Sequence, residues 1–237
     1  MFSVTQNGKP LDPSKYVWDE ATKVFGTNES NLVLDFSEYV GTTFKTGSDC
    51  TFNTAWNCTF NTSHGCTFNT AWNCTFNTAW NCTFKTGDYC TFKTGSDCTF
   101  KTGLNCTFNT SHGCTFNTAW NCTFNTAWNC TFNVGEKCCL HYTWSNCFEV
   151  HKLVPNKIVK LLENGKLEDV KKTWFRKNKK FLEKALENSG FCLLHISSDN
   201  EIHKNISKAF LKTSSATLEN AFEIYWNFLK PIEEKIA

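Results

Sequence analysis

The octapeptide Cys50-Thr51-Phe52-Asn53-Thr54-Ala55-Trp56-Asn57 decides the fold, because the chain repeats it with small changes. Residues 42–137 divide into twelve such units; eleven begin with Cys-Thr-Phe, and the first has Thr42 in the place of Cys. A short, strict period predicts a solenoid, in which each unit buries its apolar face only against neighbouring units.

The first five residues of each unit alternate between two faces, and β-branched and aromatic types dominate them, which is typical of a β-strand. Cys, Phe and the second Thr fall on one face, which we expect to lie inside because Cys and Phe are apolar. The last three residues, such as Ala-Trp-Asn, Gly-Ser-Asp or Ser-His-Gly, are typical of tight turns, where Gly and Asn tolerate positive φ. Each unit therefore predicts one strand followed by one corner.

The repeat allows two lengths for one coil of the solenoid. Two octapeptides give a 16-residue coil with two sheets, and three octapeptides give a triangular, 24-residue coil. The corner triplets nearly repeat after six octapeptides, which is a whole number of coils in both cases. In the 16-residue coil, one edge reads Gly-Ser-Asp, Ser-His-Gly, Ala-Trp-Asn twice, and the other edge collects Trp56, Trp72, Leu104 and Trp120. This regularity favours two octapeptides per coil, with three as the alternative.

The flanking segments predict two further parts, which makes the chain a mainly β protein with a small α-helical C-terminal domain. Residues 1–41 are expected to cap the solenoid, with a hairpin of residues 16–18 and 23–25 and a strand at 32–36. Residues 42–150 form the solenoid, including closing strands at 138–144 and 147–150. Residues 151–237 are expected to be mostly helical. The predicted elements there are helices at 156–164, 167–188, 201–212 and 217–229, and a helix or strand at 191–196.

The fifteen cysteines of the 237-residue chain do not follow a disulfide pattern, because twelve of them occupy one equivalent position in successive octapeptides. That spacing predicts a ladder of small buried thiols. The chain starts Met-Phe-Ser-Val-Thr-Gln, without the features of a signal peptide, and no stretch is long enough to cross a membrane. We therefore expect a reducing, intracellular setting, no secretion and no membrane partner.

Tryptophans at the corners are the first candidate binding residues. Trp56, Trp72 and Trp120, with Trp80 and Trp128, could form exposed aromatic ridges that bind protein, glycan or bases. The alternative is a packing role, in which each ring lies along its corner and shields the next coil.

A basic run in the C-terminal part is the second candidate. Residues 171–180 hold six cations and two aromatic side chains, and the candidate contacts are Lys171, Lys172, Arg176, Lys179 and Lys180. Such a run can bind nucleic-acid phosphates or an acidic protein. Its alternative is a solvated helix face, with Trp174 and Phe175 in the core.

Two weaker candidates concern metals. Cys138, Cys139, His141 and Cys147 are the one tight group of Cys and His, and zinc accepts thiolates and imidazole. The group lacks a Cys-x-x-Cys pair, so structural packing is the preferred interpretation and no cofactor is predicted. His64 and His112 lie in identical Ser-His-Gly corners, and we interpret them as solvated corner residues.

The stretch Gly41-Thr42-Thr43-Phe44-Lys45-Thr46-Gly47-Ser48-Asp49-Cys50-Thr51-Phe52 resembles octapeptide-repeat proteins of viruses and tailed bacteriophages. With a leader at residues 7–12 and 32–37, the resemblance covers residues 7–150. It implies a β-solenoid in the cytoplasm of a host cell or in a virion, and implies no activity. The repeat hierarchy also resembles bacterial ice-nucleation proteins with 16-residue coils. Those proteins present Thr-x-Thr outward. In this chain the two Thr residues of one octapeptide are three positions apart, so they lie on opposite faces of the strand and cannot both face out.

No phosphate-binding loop, nucleophile elbow or paired-carboxylate motif occurs in the sequence. The chain is therefore expected to be a non-enzymatic structural or interaction protein that presents a repeated surface, with the helical part binding a protein partner. Self-association through the solenoid ends is a further expectation. Ice binding by the outer faces and nucleic-acid binding by the basic run are the alternative functions.

Overall fold

The chain begins with a parallel β-solenoid of about seven turns, built from two facing sheets. The computed structural model describes residues 1–144, 147–155 and 157–187. The chain divides into two compact units, residues 1–168 and residues 169–237. The solenoid belongs to the first unit.

The strands follow the predicted order along the chain. The N-terminal segment contributes β1 (Ser3–Gln6), β2 (Lys9–Pro10), a 3-10 turn (Pro13–Lys15), β3 (Val17–Asp19), β4 (Val24–Gly26) and β5 (Leu32–Phe36). The octapeptides contribute β6 (Thr43–Lys45), β7 (Thr51–Thr54), β8 (Thr59–Asn61), β9 (Thr67–Thr70), β10 (Thr75–Asn77), β11 (Thr83–Lys85), β12 (Thr91–Lys93), β13 (Thr99–Thr102), β14 (Thr107–Asn109), β15 (Thr115–Thr118), β16 (Thr123–Thr126) and β17 (Thr131–Val134). The remaining described elements are β18 (Cys139–Trp144), β19 (Cys147–Lys152), β20 (Ile158–Leu161), β21 (Leu167–Asp169) and α1 (Val170–Glu187).

Every second octapeptide pairs in register, so the 16-residue coil is confirmed. Phe84 of β11 lies in register with Phe68 of β9 and Phe100 of β13, while Phe92 of β12 pairs with Phe76 on the opposite sheet. Successive octapeptides therefore alternate between the two sheets. A coil of three octapeptides would have paired β9 with β12, and the structure excludes it.

A continuous column of Phe rings fills the space between the sheets. Phe84 stacks on Phe100 with ring centroids 4.8 Å apart and planes 3° apart, and meets Phe92 of the other sheet edge-on at 5.2 Å. Each buried Phe side chain contributes about 1.5–3 kcal/mol from removal of its surface from water. Because the coil repeats, every ring has the same kinds of neighbour, and the column dominates the stability of the solenoid.

The Cys residues form two rows of buried thiols beside this column, as predicted. All twelve ladder cysteines, from Cys50 to Cys138, are buried and free of disulfides. Each thiol donates to the carbonyl oxygen two residues earlier, as Cys98 does to Ser96 at 3.4 Å. Contact with the thiol of Cys114 and burial raise the pKa of Cys98 to about 11. Cys98 is therefore a neutral packing group at ordinary pH, and the other ladder thiols are buried between the coils in the same way.

The last residue of every octapeptide has a left-handed backbone, which explains the choice of residue there. Six of the twelve positions hold Asn, and Gly65 and Gly113 hold two more. Asn and Gly are the residues that adopt this conformation at the lowest cost. Tyr89 is the least suited occupant, with φ 57° and a side chain that is 56% exposed.

Replacing Tyr89 by Asn is expected to stabilise the solenoid by about 0.5–1 kcal/mol, because a left-handed backbone costs a non-Gly, non-Asn residue about 1–2 kcal/mol. Little packing is lost, since Tyr89 is largely exposed. The midpoint of chemical denaturation measures the gain. The reverse variant, Asn73→Tyr, should shift the midpoint the other way, and a lower midpoint for Tyr89→Asn would show that backbone strain does not govern this position.

Antiparallel strands end both sheets within the described residues. At the N-terminal end, β3 pairs with β4 in the hairpin predicted from residues 16–18 and 23–25, and β1 pairs with β5. Phe2 and Trp18 cover Phe36, a ring at the N-terminal end of the column, with Phe2 stacked on it at 4.5 Å. The two closing strands predicted after the repeats are confirmed as the hairpin of β18 and β19.

The prediction of a helix at residues 156–164 is wrong. This segment contains β20, which pairs antiparallel with β17 and places Val159 opposite Phe132. The alternation of Val159 and Leu161, both buried, fits a strand as well as a helix, and the open edge of β17 decides between them because its backbone groups need partners. Gly165, with φ 78°, turns the chain from β20 towards β21 instead of ending a helix.

The helix predicted at residues 167–188 is confirmed as α1, which begins later than expected, at Val170, because β21 occupies the predicted start. The segment after residue 151 therefore opens with strands, and its first helix follows them. The elements predicted at 191–196, 201–212 and 217–229 lie outside the described residues.

Candidate functional site

The corner residues form two rows along the two edges of the solenoid, because equivalent corners stack coil on coil. The first corner row contains the central corner residues Trp56, Trp72, Asp88, Leu104, Trp120 and Glu136. The second corner row contains Ser48, His64, Trp80, Ser96, His112 and Trp128. Backbone hydrogen bonds join successive corners, for example from the Asn57 amide to the Trp72 carbonyl at 3.2 Å.

The first corner row brings two of the three candidate tryptophans together. Trp56 and Trp72 stack with ring centroids 4.8 Å apart and planes 3° apart. Trp120 lies further along the same row, beyond Asp88 and Leu104. The three rings are 38%, 46% and 49% exposed, so each covers part of the corner and still offers about half of its surface to solvent. Both roles considered from the sequence, packing and display, are therefore compatible with the geometry.

The second corner row holds stacked pairs of His and Trp. His64 stacks under Trp80 at 4.5 Å, and His112 stacks under Trp128 at 4.9 Å. The two histidines are three coils apart, about 14 Å at the usual strand spacing, so the structure does not bring them together. The His–Trp pairs were not predicted from the sequence, although the two members of each pair lie two octapeptides apart and a 16-residue coil places them next to each other.

The outer faces of both sheets are polar. The first Thr of each octapeptide forms one row, and the Asn or Lys two residues later forms another. The Asn residues hydrogen-bond along the row, as between Asn69 and Asn53 at 3.2 Å. Lys85 and Lys101 interrupt this row in the central coils of one sheet, so its Asn pairs remain at the two ends.

Only some of the basic residues of α1 share one face of the helix. Lys172, Arg176 and Lys179 are exposed and follow the i, i+4, i+7 spacing of one helix face. Lys171 is half-buried and off this face, and Lys180 follows Lys179 in α1. The Arg176 guanidinium also donates to the Thr173 hydroxyl at 3.0 Å. Three basic residues therefore lie along one face of α1.

The Cys and His group after the repeats does not converge on one point. Cys138 is fully buried in the thiol ladder, whereas Cys139 follows it in the strand and faces the other side together with His141. Cys147 pairs with Trp144 at the far end of the hairpin, about 16 Å along the strand from Cys139. Among the described residues, no group of three or more His, Cys, Asp or Glu side chains is arranged to hold a metal ion.

Among the described residues, no helix is both long and apolar enough to span a lipid bilayer. Comparisons of the chain with protein-family models, with curated proteins and with solved structures found no match.

Proposed function

We propose that the chain is a non-enzymatic structural repeat protein whose corner rows bind a protein partner. The observation that carries the proposal is the in-register display of aromatic rings on a rigid frame. Trp56, Trp72, Trp80 and Trp128 each keep 38–51% of their surface exposed while stacked on a neighbour. Rings held in this way lose little conformational freedom on binding, which favours their use as contact residues.

The frame is stiff because its interior is periodic and fully packed. Each coil is held to the next by strand hydrogen bonds, ring stacking at 4.8–5.1 Å and thiol contacts. A surface residue therefore keeps its spacing to the equivalent residue of the next coil. A partner that reads this surface meets the same chemistry at intervals of about 4.8 Å.

The segment that carries α1 is a second proposed contact, considered by itself. Its face of Lys172, Arg176 and Lys179 suits an acidic region of the partner, since charge complementarity guides association. Nucleic-acid phosphates are the alternative ligand of this face, and ice or ordered water is the alternative ligand of the outer Thr and Asn rows. A salt-dependent gel shift and thermal hysteresis, respectively, distinguish these alternatives from a protein partner.

Position-specific photo-cross-linking tests the corner rows directly. A photoreactive benzoylphenylalanine at position 72, introduced into the full chain in the cells that make it, is expected to form a covalent adduct with the partner. The matched control carries the same group at position 69, which is exposed on the outer face of β9. The aromatic substitute preserves the ring at position 72, so the interface remains intact there.

The yields at the two positions decide the outcome. A discrete adduct from position 72 with little or none from position 69 supports binding at the corners. Equal adducts from both positions, or none from position 72, contradict the proposal, because a corner-bound partner must lie within reach of that side chain.

A further inference from the structure

The second corner row has a notch where one ring is missing from the stack. Trp80 is covered on one side by His64, and the coil on its other side carries Ser96 in the ring position. His112 follows one coil later, at the start of the next His–Trp pair. The row thus reads ring, ring, Ser, ring, ring from His64 to Trp128.

The surface is open at this point. A depression of about 320 Å³ lies beside Ser96, and its lining extends from Asn77 and Trp80 through Lys93, Gly95 and Ser96 to Ser111, the residue before His112. Gly95 has no side chain and Ser96 has a small one, so the floor of the notch is backbone. Trp80 is 51% exposed, the most of any Trp in the two corner rows.

The height of the notch suits one flat ring. Two coil steps separate Trp80 from His112, about 9.6 Å at the usual strand spacing. A ring placed midway would lie about 4.8 Å from each neighbour. The Phe column shows that this chain stacks rings at that distance, since Phe92 lies 4.8 Å from Phe76 on one side and 4.8 Å from Phe108 on the other.

The charges around the notch favour an uncharged ring over a nucleic acid. Lys93 is an exposed cation in its lining, and the Asp97 carboxylate packs close by over Gly113. A polyanion needs several cations along its path, and one Lys beside one Asp does not provide them. An aromatic side chain needs only the two flanking rings and exclusion of water.

We infer that the notch between Trp80 and His112 binds one aromatic side chain of a protein partner. The inference rests on the proposed function and names the feature that the second corner row recognises. The ring of the partner completes the interrupted stack, with Trp80 on one face and His112 on the other. Ser96 leaves the space that the ring occupies.

Saturation-transfer NMR on the full chain tests the notch with the tripeptide acetyl-Gly-Trp-Gly-amide as probe. Saturation is expected to reach the indole protons of this probe, and to reach the methyl protons of acetyl-Gly-Leu-Gly-amide much less. The variant Ser96→Trp fills the notch with a ring of the chain itself and is expected to weaken binding about tenfold, because both stacking faces are then occupied. Trp80→Ala removes one face and is expected to weaken binding as well.

The control variant is Glu136→Trp, which adds the same ring at a corner of the opposite edge next to Trp120, creates no gap of one ring, and is expected to leave binding unchanged. Near-ultraviolet circular dichroism checks that each variant keeps its packed interior. Undiminished binding by Ser96→Trp, equal transfer to the Leu peptide, or transfer to adenosine but not to the Trp peptide would each overturn the inference. If the notch fails while the cross-link from position 72 persists, only the notch is wrong and the proposed function stands.

Discussion

Replacing Phe84 by Ala is expected to cost about 3–5 kcal/mol of the free energy of unfolding, the usual range for a buried Phe. Phe84 is fully buried and touches four other rings: Phe68 and Phe100 face to face at 4.9 and 4.8 Å, and Phe76 and Phe92 edge-on at 5.2 Å. The substitution removes all four contacts and leaves a cavity that the stacked strands cannot close, because hydrogen bonds fix their spacing.

Chemical denaturation of Phe84→Ala measures the loss, and Lys85→Ala is the matched control. Lys85 is the next residue of β11 and points to solvent, so its truncation is expected to change the free energy of unfolding by less than about 0.5 kcal/mol. Hydrogen exchange adds a local readout, since β9, β11 and β13 should lose protection first. A cost below about 1 kcal/mol would mean that Phe84 is not packed inside a column.

The sequence was sufficient to predict a solenoid of one strand per octapeptide, because Cys and Phe recur on one face of every strand. The corner triplets favoured two octapeptides per coil over three, and the strand pairing decides for two. The N-terminal hairpin was also predictable from the apolar residues on both sides of its turn. In each case the local pattern and the final packing favour the same structure.

The sequence was insufficient where a partner strand decided the structure. Residues 158–161 carry apolar side chains that suit a helix or a strand, and only the open edge of β17 selects the strand. The left-handed conformation of Tyr89 was similarly hidden, because the demand arises from the corner and not from the residue.

The candidate site was predictable only in outline. The Trp rows follow from the period, but the stacking of His64 on Trp80 depends on side-chain orientation. The notch at Ser96 is visible only when the row is considered as a stack with a constant step between rings. A short polar residue in a corner has no special meaning until its neighbours along the solenoid axis are known.

The second large effect concerns the reactivity of the ladder thiols. All twelve are buried and free, and contact with the thiol of Cys130, together with burial, raises the pKa of Cys114 to about 12. A thiol reacts as its thiolate, so inaccessibility slows the reaction of every ladder thiol, and the raised pKa slows that of Cys114 further. Labelling in the native state is expected to be at least about 1,000-fold slower than in the unfolded state, since it requires the coils to open.

Counting thiols before and after unfolding therefore tests most directly whether sulfur and phenyl groups fill the solenoid. Iodoacetamide is added to the chain without reductant, natively and in denaturant, and the intact mass gives the number of labels. The structure predicts that the twelve ladder cysteines gain labels only on unfolding, whereas the half-exposed Cys139 is open to native labelling. Rapid native labelling of the ladder, or cystines that resist labelling in denaturant, would contradict the buried column.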